Sequence, residues 1–251
     1  MTFSGTPRPL VRWCHAVTAL DHFALVTYRV DPARLASVLP PSVEPDVFRF
    51  DDGGEASLVS AVPFVDRDFR FRFFPWITLS CGQVNYRAYV RHRGERGVWF
   101  FGTSLDSRLV ALPRLAWHMP WHRDRIRVDA DRSGDRLARL HLEVTGGWGS
   151  ASVELVDGGA PLTRLDGFAD LDETLEVLTH PMVGWYRRSG DLGIGRYSVW
   201  HEPLQPHPCA VRRARFAVFE RLGLVAPGTE PHSALVQPTI TFDVHTPPTR
   251  A

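Results

Sequence analysis

The sequence contains no lysine: all 29 basic residues among its 251 are arginines. Arginine keeps its positive charge in proteins and does not serve as an amine nucleophile. No side chain in this sequence can therefore form a Schiff base with a carbonyl compound. The absence excludes the lysine-dependent class of covalent catalysis and leaves acid–base chemistry open.

Cysteine, net charge and long apolar runs are also scarce. The three cysteines are odd in number and far apart, which excludes a disulfide framework and a zinc motif. A formal net charge of +1 supplies no strong field for nucleic acid or acidic lipid. No apolar run approaches the roughly 18 residues of a membrane span, and the start lacks the apolar stretch of a signal peptide. We expect a cytoplasmic protein that binds neither nucleic acid nor a membrane.

The local patterns are mostly those of strands. Glycine and proline are scattered without a linker or an internal repeat, so we expect one domain over residues 1–251. Strands are predicted at 22–30, 57–64, 69–73, 77–91, 98–101, 126–130, 137–145, 150–156, 194–201 and 235–245. Helices are predicted at 32–39, 106–118, 170–178 and 210–222, the last from the spacing of its apolar residues. Without an alternating strand–helix rhythm, this indicates an α+β fold, mainly an antiparallel sheet or barrel with helices packed outside.

One predicted strand carries polar side chains along a whole face. In the segment 77–91, the side chains of Gln83, Asn85, Arg87 and Tyr89 point to one side and apolar side chains point to the other. On an open sheet this row is the solvated face. In a closed barrel it lines the interior, where such groups are costly to bury unless they hold water or a ligand. The guanidinium would then suit a carboxylate.

Other motifs indicate less. The histidines His118 and His122 have the spacing of a helical metal pair, but Pro120 interrupts the helix, so no metal site is predicted. Clusters of arginine are interleaved with acidic residues or lie on solvated faces, which favours plain surface over nucleic-acid binding. Most of the eight tryptophans are expected in the core, and some in the wall of an apolar pocket.

Five segments, taken in order, resemble the YqjF-like family (domain of unknown function 2071). They are VDPARLASVLPP at 30–41, VPF at 62–64, QVNYRAYV at 83–90, GVWFFGTSLD at 97–106 and WHEPL at 200–204. The corresponding family patterns are V-D-P-x-x-L-x-x-x-L-P-P, V-P-F, E-x-N-x-R-T-Y, G-x-(Y/W)-F-F-S-L-D and H-x-P-W. Leu204 stands where the family usually has Trp. The resemblance extends over residues 20–245, which is nearly the whole chain.

This resemblance implies a fold. The family is grouped with the acetoacetate decarboxylase-like proteins, whose fold is a β-cone with helices around it and a cavity inside. The polar row of Gln83, Asn85, Arg87 and Tyr89 would then face that cavity. However, Gln83 replaces the family's glutamate, and the Schiff-base lysine of the decarboxylase has no counterpart. The resemblance therefore does not imply the decarboxylase reaction.

The first functional hypothesis is a pocket for a small organic acid or carbonyl compound, without a cofactor or a metal. Arg87 would anchor the charge of the ligand. Gln83, Asn85 and Tyr89 would line the site and orient the ligand, and Trp99 would cover its apolar part.

Two other hypotheses stay open. A lysine-independent lyase, isomerase or cyclase of secondary metabolism would take its acid–base chemistry from His201, Glu202 or Asp106. Because neighbouring strand residues face opposite ways, at most one of His201 and Glu202 reaches a cavity. The third hypothesis is a structural protein whose cavity is filled by aromatic side chains. The sequence predicts no oligomeric state.

Overall fold

The computed structural model describes residues 5–108, 111–190 and 192–251, which form fourteen strands and four short helices. The strands are β1 Ala16–Val30, β2 Val43–Pro45, β3 Val47–Arg49, β4 Glu55–Phe71, β5 Leu79–His92, β6 Glu95–Leu105, β7 Trp121–Arg123, β8 Arg125–Ser133, β9 Arg136–Thr145, β10 Ala151–Asp157, β11 Val183–Arg187, β12 Ile194–Trp200, β13 His207–Phe216 and β14 Ser233–Arg250. The helices are α1 Pro32–Val38, α2 Ala111–Trp117, α3 Leu171–Thr179 and α4 Ala217–Arg221. In this part of the chain, no helix is both long and apolar enough to cross a bilayer.

Seven strands close into a barrel. Their order is β1-β4-β5-β6-β11-β12-β14, and β14 pairs back with β1. The neighbouring pairs are antiparallel except for β6 and β11, which run parallel where Val98–Phe100 lies beside Gly184–Tyr186. Closure gives the sheet an interior, and alternation directs every second side chain of a regular strand into it. The predicted α+β class, with a mainly antiparallel barrel and peripheral helices, is confirmed.

A second sheet covers one outer side of the barrel. It contains β13, β10, β9 and β8, and it joins the barrel where β13 pairs with β14. Its apolar side chains, such as Leu142 and Val153, share one buried cluster with Tyr28 and Tyr86 of the barrel. The ring of Phe216 lies 6.1 Å from that of Tyr86, in an edge-to-face arrangement. The apolar face of β5 is thus buried outside the barrel, which leaves its polar face for the interior.

The predicted helix starts at Asp31 and Asp170 are confirmed. The carboxylate of Asp31 accepts hydrogen bonds from the backbone N–H groups of Ala33 and Arg34, ahead of α1. Asp170 caps α3 in the same way through the N–H of Glu173. Each cap satisfies backbone donors that a helix leaves without an internal partner.

The helix predicted at 106–118 forms only over α2. Residues 109–110 of that prediction lie outside the part of the chain that the structure describes. The preceding residues 106–107 form a bend and a coil rather than helix.

The prediction of a helix over 210–222 is wrong for its first half. Residues 210–216 belong to β13 and pair with β10, apart from a bulge where the register shifts between Glu154 and Leu155. This pairing buries apolar side chains in the second sheet and outweighs the helical spacing, because tertiary contacts override a weak local preference. The helix α4 begins only at Ala217, and Gly223 follows it with a φ of +69°, a conformation that favours glycine.

Candidate ligand-binding site

The barrel holds a cavity with a volume of about 160 Å³. Most of its wall is apolar, with side chains such as Leu20, Phe64, Phe100 and Phe242. The polar side chains in the wall include Asp66, Gln83, Asn85, Arg87, Thr103 and His201. A largely apolar cavity with a few converging polar groups has the usual character of a small-molecule site.

Arg87 lies inside the barrel on β5, between Ser60 of β4 and Phe100 of β6. Its Nη2 donates hydrogen bonds to the backbone oxygen of Leu178 at 2.8 Å and to the hydroxyl of Tyr89 at 3.3 Å. Its Nε is buried without a hydrogen-bond partner, and no carboxylate among the described residues pairs with it. A shielded guanidinium with unused donors favours the binding of an anion.

A short hydrogen-bond chain fixes Asn85 beside Arg87. The side-chain oxygen Oδ1 of Asn85 accepts from Nε2 of Gln83 at 2.9 Å and from Oγ1 of Thr103 at 2.8 Å. Because both donors converge on the oxygen, the amide nitrogen of Asn85 is left as a free donor within the described chain. The cavity therefore offers an oriented amide N–H group two residues from the guanidinium.

Tyr89, the last member of the predicted row, lies below the cavity wall rather than in it. It is 2% exposed and is not among the cavity residues. Its hydroxyl donates to the backbone oxygen of Leu178 at 3.2 Å and lies 3.0 Å from Oγ of Ser60. Tyr89 thus accepts a hydrogen bond from Arg87 from behind the cavity wall, and its predicted ligand contact stays a prediction.

His201 is in the cavity wall and is 1% exposed. Its Nδ1 donates to the backbone oxygen of Glu202 at 2.7 Å, and its ring stacks on Phe242 with centroids 4.2 Å apart. Burial lowers the pKa of His201 to about 4, with the charge of Arg87 acting in the same direction, although the Glu202 hydrogen bond opposes the shift. The imidazole is therefore neutral at pH 7.

Three predicted site residues do not reach this cavity. Glu202 is exposed to solvent next to His201, and Asp106 is exposed just after β6. Trp99 precedes Phe100 on β6 and packs in the apolar cluster outside the barrel, since neighbouring strand residues face opposite sides. Among the described residues, Glu202, Asp106 and Trp99 therefore lie apart from the cavity wall that holds Arg87, Asn85 and His201.

Asp66 is a cavity residue that the sequence patterns did not single out. It lies on β4 opposite Cys81, and its Oδ1 accepts a hydrogen bond from Oγ1 of Thr18. Burial raises the pKa of Asp66 to about 6, although the Thr18 hydrogen bond opposes the shift. The available signal was alternation: Val62 and Phe64 face the interior, and Asp66 continues the same side of the strand.

Comparisons with known proteins support the resemblance found in the sequence. A model of the DUF2071 family, described as an uncharacterized conserved protein, matches residues 18–241. The uncharacterized protein YqjF of Bacillus subtilis (strain 168) is 29% identical over 124 residues, which cover 45% of this chain and 49% of that protein. The match thus spans about half the length of this curated relative.

Solved structures share the fold at low sequence identity. Acetoacetate decarboxylase from Legionella pneumophila subsp. pneumophila str. Philadelphia 1 is 15% identical with a TM-score of 0.61, over 98% of this chain and 92% of that chain. The enduracididine biosynthesis enzyme MppR, complexed with the condensation product of pyruvate and imidazole 4-carboxaldehyde, is 15% identical with a TM-score of 0.58, over 94% and 89%. The predicted acetoacetate decarboxylase-like fold is confirmed, and identities this low establish the fold alone.

Proposed function

Since the chain belongs to the DUF2071 family of uncharacterized conserved proteins and has an acetoacetate decarboxylase-like fold, we propose that it binds a small organic acid or carbonyl compound in the barrel. Arg87 pairs with the carboxylate of the ligand, and the amide nitrogen of Asn85 donates a hydrogen bond beside it. The observation that carries this proposal is a guanidinium in an apolar cavity with no carboxylate partner among the described residues. The pyruvate-derived ligand of MppR supports the same class of compound.

The surroundings of Arg87 strengthen such binding. Its hydrogen bonds to Leu178 and Tyr89 hold the guanidinium before a ligand arrives, so little side-chain freedom is lost on association. A hydrogen bond that involves a charged group contributes about 1.5–3 kcal/mol, and the apolar wall weakens screening by water. The neutral ring of His201 adds a further polar contact without repelling an acid.

The proposal contains no Schiff-base step, because the sequence has no lysine. It contains no cofactor either. We place the protein in the cytoplasm, and the three cysteines, which are free thiols in the structure, support a reducing compartment.

A lysine-independent lyase, isomerase or cyclase is the second candidate function. The position of His201 in the cavity wall favours it, since a neutral imidazole can accept a proton from a bound substrate. A purely structural barrel is less well supported, because the interior keeps open space that aromatic side chains do not fill. Loss of turnover of a bound ligand in His201→Gln, with binding retained, would identify the enzyme.

Isothermal titration with pyruvate, acetoacetate and longer carboxylates tests the binding proposal. We expect the wild-type protein to bind at least one of these acids and Arg87→Met to bind it at least about tenfold more weakly, or about 1.4 kcal/mol. Arg196→Met is the matched control, because Arg196 pairs with Glu95 away from the cavity. Equal affinity of wild type and Arg87→Met would contradict the proposal, as would a wild type that binds no acid.

A further inference from the structure

The cavity wall holds a second charged side chain, opposite in sign to Arg87. Asp66 lines the cavity, and no arginine or histidine pairs with it in the described part of the chain. The next residue, Arg67, is exposed and pairs instead with Asp21. Oδ1 of Asp66 accepts from Thr18, and no described group donates to Oδ2. This carboxyl therefore retains an acceptor for a partner that the protein does not supply.

Asp66 and Arg87 lie towards opposite ends of the cavity. Asp66 pairs with Cys81, which precedes Arg87 by six residues on β5 and so lies roughly 20 Å from it along the strand, at about 3.3 Å per residue. Gln83 and Asn85 occupy the inward positions between them. The guanidinium of Arg87 contacts Tyr89, which lies further along β5 in the direction away from Asp66. The cavity is thus elongated, with a positive group at one end and an acidic group at the other.

The surroundings of Asp66 favour a cationic partner over an anion or an apolar group. The side chains facing it are Thr18 from β1, Cys81 from β5 and the apolar wall, and burial raises the pKa of both Asp66 and the Cys81 thiol. Within the described residues, no positive charge at this end compensates the ionised carboxylate. A shielded charge without a partner costs free energy, and a ligand of opposite charge would offset that cost.

We propose that the ligand of this cavity carries a carboxylate at one end, bound by Arg87, and a cationic nitrogen at the other, bound by Asp66. This inference rests on the proposed function and narrows its ligand to acids with an ammonium or guanidinium group many bonds from the carboxylate. The amide of Asn85 and the apolar wall contact the chain between the two charges.

Titration calorimetry with matched ligand pairs tests this inference. The probes are 6-aminohexanoate, 8-aminooctanoate and 10-aminodecanoate, each compared with the unsubstituted acid of the same length. For at least one length we expect the amino acid to bind at least about tenfold more tightly at pH 7. Asp66→Asn should remove that preference and still bind the plain acids, whereas Arg87→Met should weaken both series. Asp21→Asn is the control and should keep the preference, because Asp21 pairs with Arg67 and does not line the cavity.

The outcomes separate this inference from the proposal on which it rests. Plain acids that bind through Arg87 without any preference for the amino series would overturn the inference alone. A preference that persists in both Asp66→Asn and Asp66→Ser would also overturn it. Failure of both series to bind would overturn the inference and weaken the proposed function. As a second readout, the preference should grow from pH 5 to pH 7 as Asp66 ionises, and it should be flat in Asp66→Asn.

Discussion

The guanidinium of Arg87 donates a hydrogen bond of 2.8 Å to the backbone oxygen of Leu178, in the last turn of α3. The hydroxyl of Tyr89 donates to the same oxygen at 3.2 Å. The last carbonyl groups of a helix lack internal partners and carry a partial negative charge, which suits a cation. The side chains of Val177 and Leu178 are buried in the apolar cluster inside the barrel. The helix therefore positions the charge of the candidate site.

Tyr89→Phe tests this anchoring. The variant removes a buried hydroxyl that bonds to Leu178 and receives a hydrogen bond from Arg87, and we expect the free energy of unfolding to fall by about 1–2 kcal/mol. Urea denaturation measures the change. Tyr28→Phe is the control, because the hydroxyl of Tyr28 makes only a 3.5 Å contact to a backbone oxygen. Equal losses in the two variants would contradict the anchoring role.

The polar row on β5 was predictable because strict alternation over residues 83–90 indicates a strand with two different faces. What the local patterns could not show was closure of the barrel. One pairing that the barrel needs joins Val98–Phe100 of β6 to Gly184–Tyr186 of β11, segments far apart in sequence, and β11 has only five residues. A pairing of this kind depends on tertiary contacts rather than on local pattern.

The side of the sheet to which each site residue points was harder to predict. Strand β6 carries one extra residue between the partners of Tyr86 and Arg87 on β5. Because of this bulge, Phe100 and Thr103 both face the cavity although they are an odd number of residues apart. A bulge of this kind breaks alternation, and only the paired strand reveals it. Asp66 was missed because the predicted strand ended at residue 64, so the alternation through Val62 and Phe64 was not continued to position 66.

The stability of the protein should fall between pH 6.5 and pH 4 through His201 and its neighbour His180. Burial lowers the pKa of each to about 4, below the 6.5 of an unfolded histidine. In that window the unfolded state binds protons that the folded state does not, so stability falls as the pH decreases. Each histidine contributes on the order of 3 kcal/mol across the window, at 1.36 kcal/mol per pKa unit.

Urea denaturation at several pH values measures this effect. His201→Gln should reduce the slope of stability against pH in the window, whatever its effect on stability at pH 7. The control is Gly147→Ala, which removes no ionisable group and should keep the wild-type slope. A wild-type slope in His201→Gln would show that the ring is not held neutral by the fold.

Gly97→Ala should destabilise the barrel where β6 pairs with β11. A Cβ at Gly97 would lie 2.6 Å from the backbone oxygen of Val183 and 2.6 Å from the ring of Trp185, both on β11. Trp185 is fully buried and the oxygen belongs to the backbone, so neither can move without separating β6 from β11. We therefore expect the free energy of unfolding to fall by about 2–3 kcal/mol. Gly147→Ala is the control, since a Cβ there meets no atom within 4 Å. Similar midpoints of thermal unfolding in the two variants would contradict this account.

The segment before β1 is held to the barrel by Asp243 of β14. This carboxylate is 2% exposed and accepts hydrogen bonds from Arg8 at 2.6 Å and from Arg72 at 2.7 Å. Although burial raises the pKa of Asp243, hydrogen bonds from Arg72 and Arg8 lower it below its usual value. A depressed folded-state pKa means that the contribution to stability is present at neutral pH and is lost as the pH falls below about 4.

Arg8→Ala should release this segment while leaving the barrel folded, because Arg72 still satisfies Asp243. Hydrogen exchange should speed up at the backbone amides of residues 6–12 and stay unchanged in β5. The control is Arg12→Ala in the same segment, whose side chain makes no hydrogen bond within the described residues and should leave exchange unaltered. Asp243→Asn leaves both arginines without their carboxylate, so the free energy of unfolding at pH 7 should fall by about 2 kcal/mol. This loss is below the range for a fully buried ion pair because Arg8 is half exposed. Unchanged exchange in Arg8→Ala would mean that the two hydrogen bonds of the Thr6 backbone, with Trp200 Nε1 and His180 Nε2, hold the segment without Arg8.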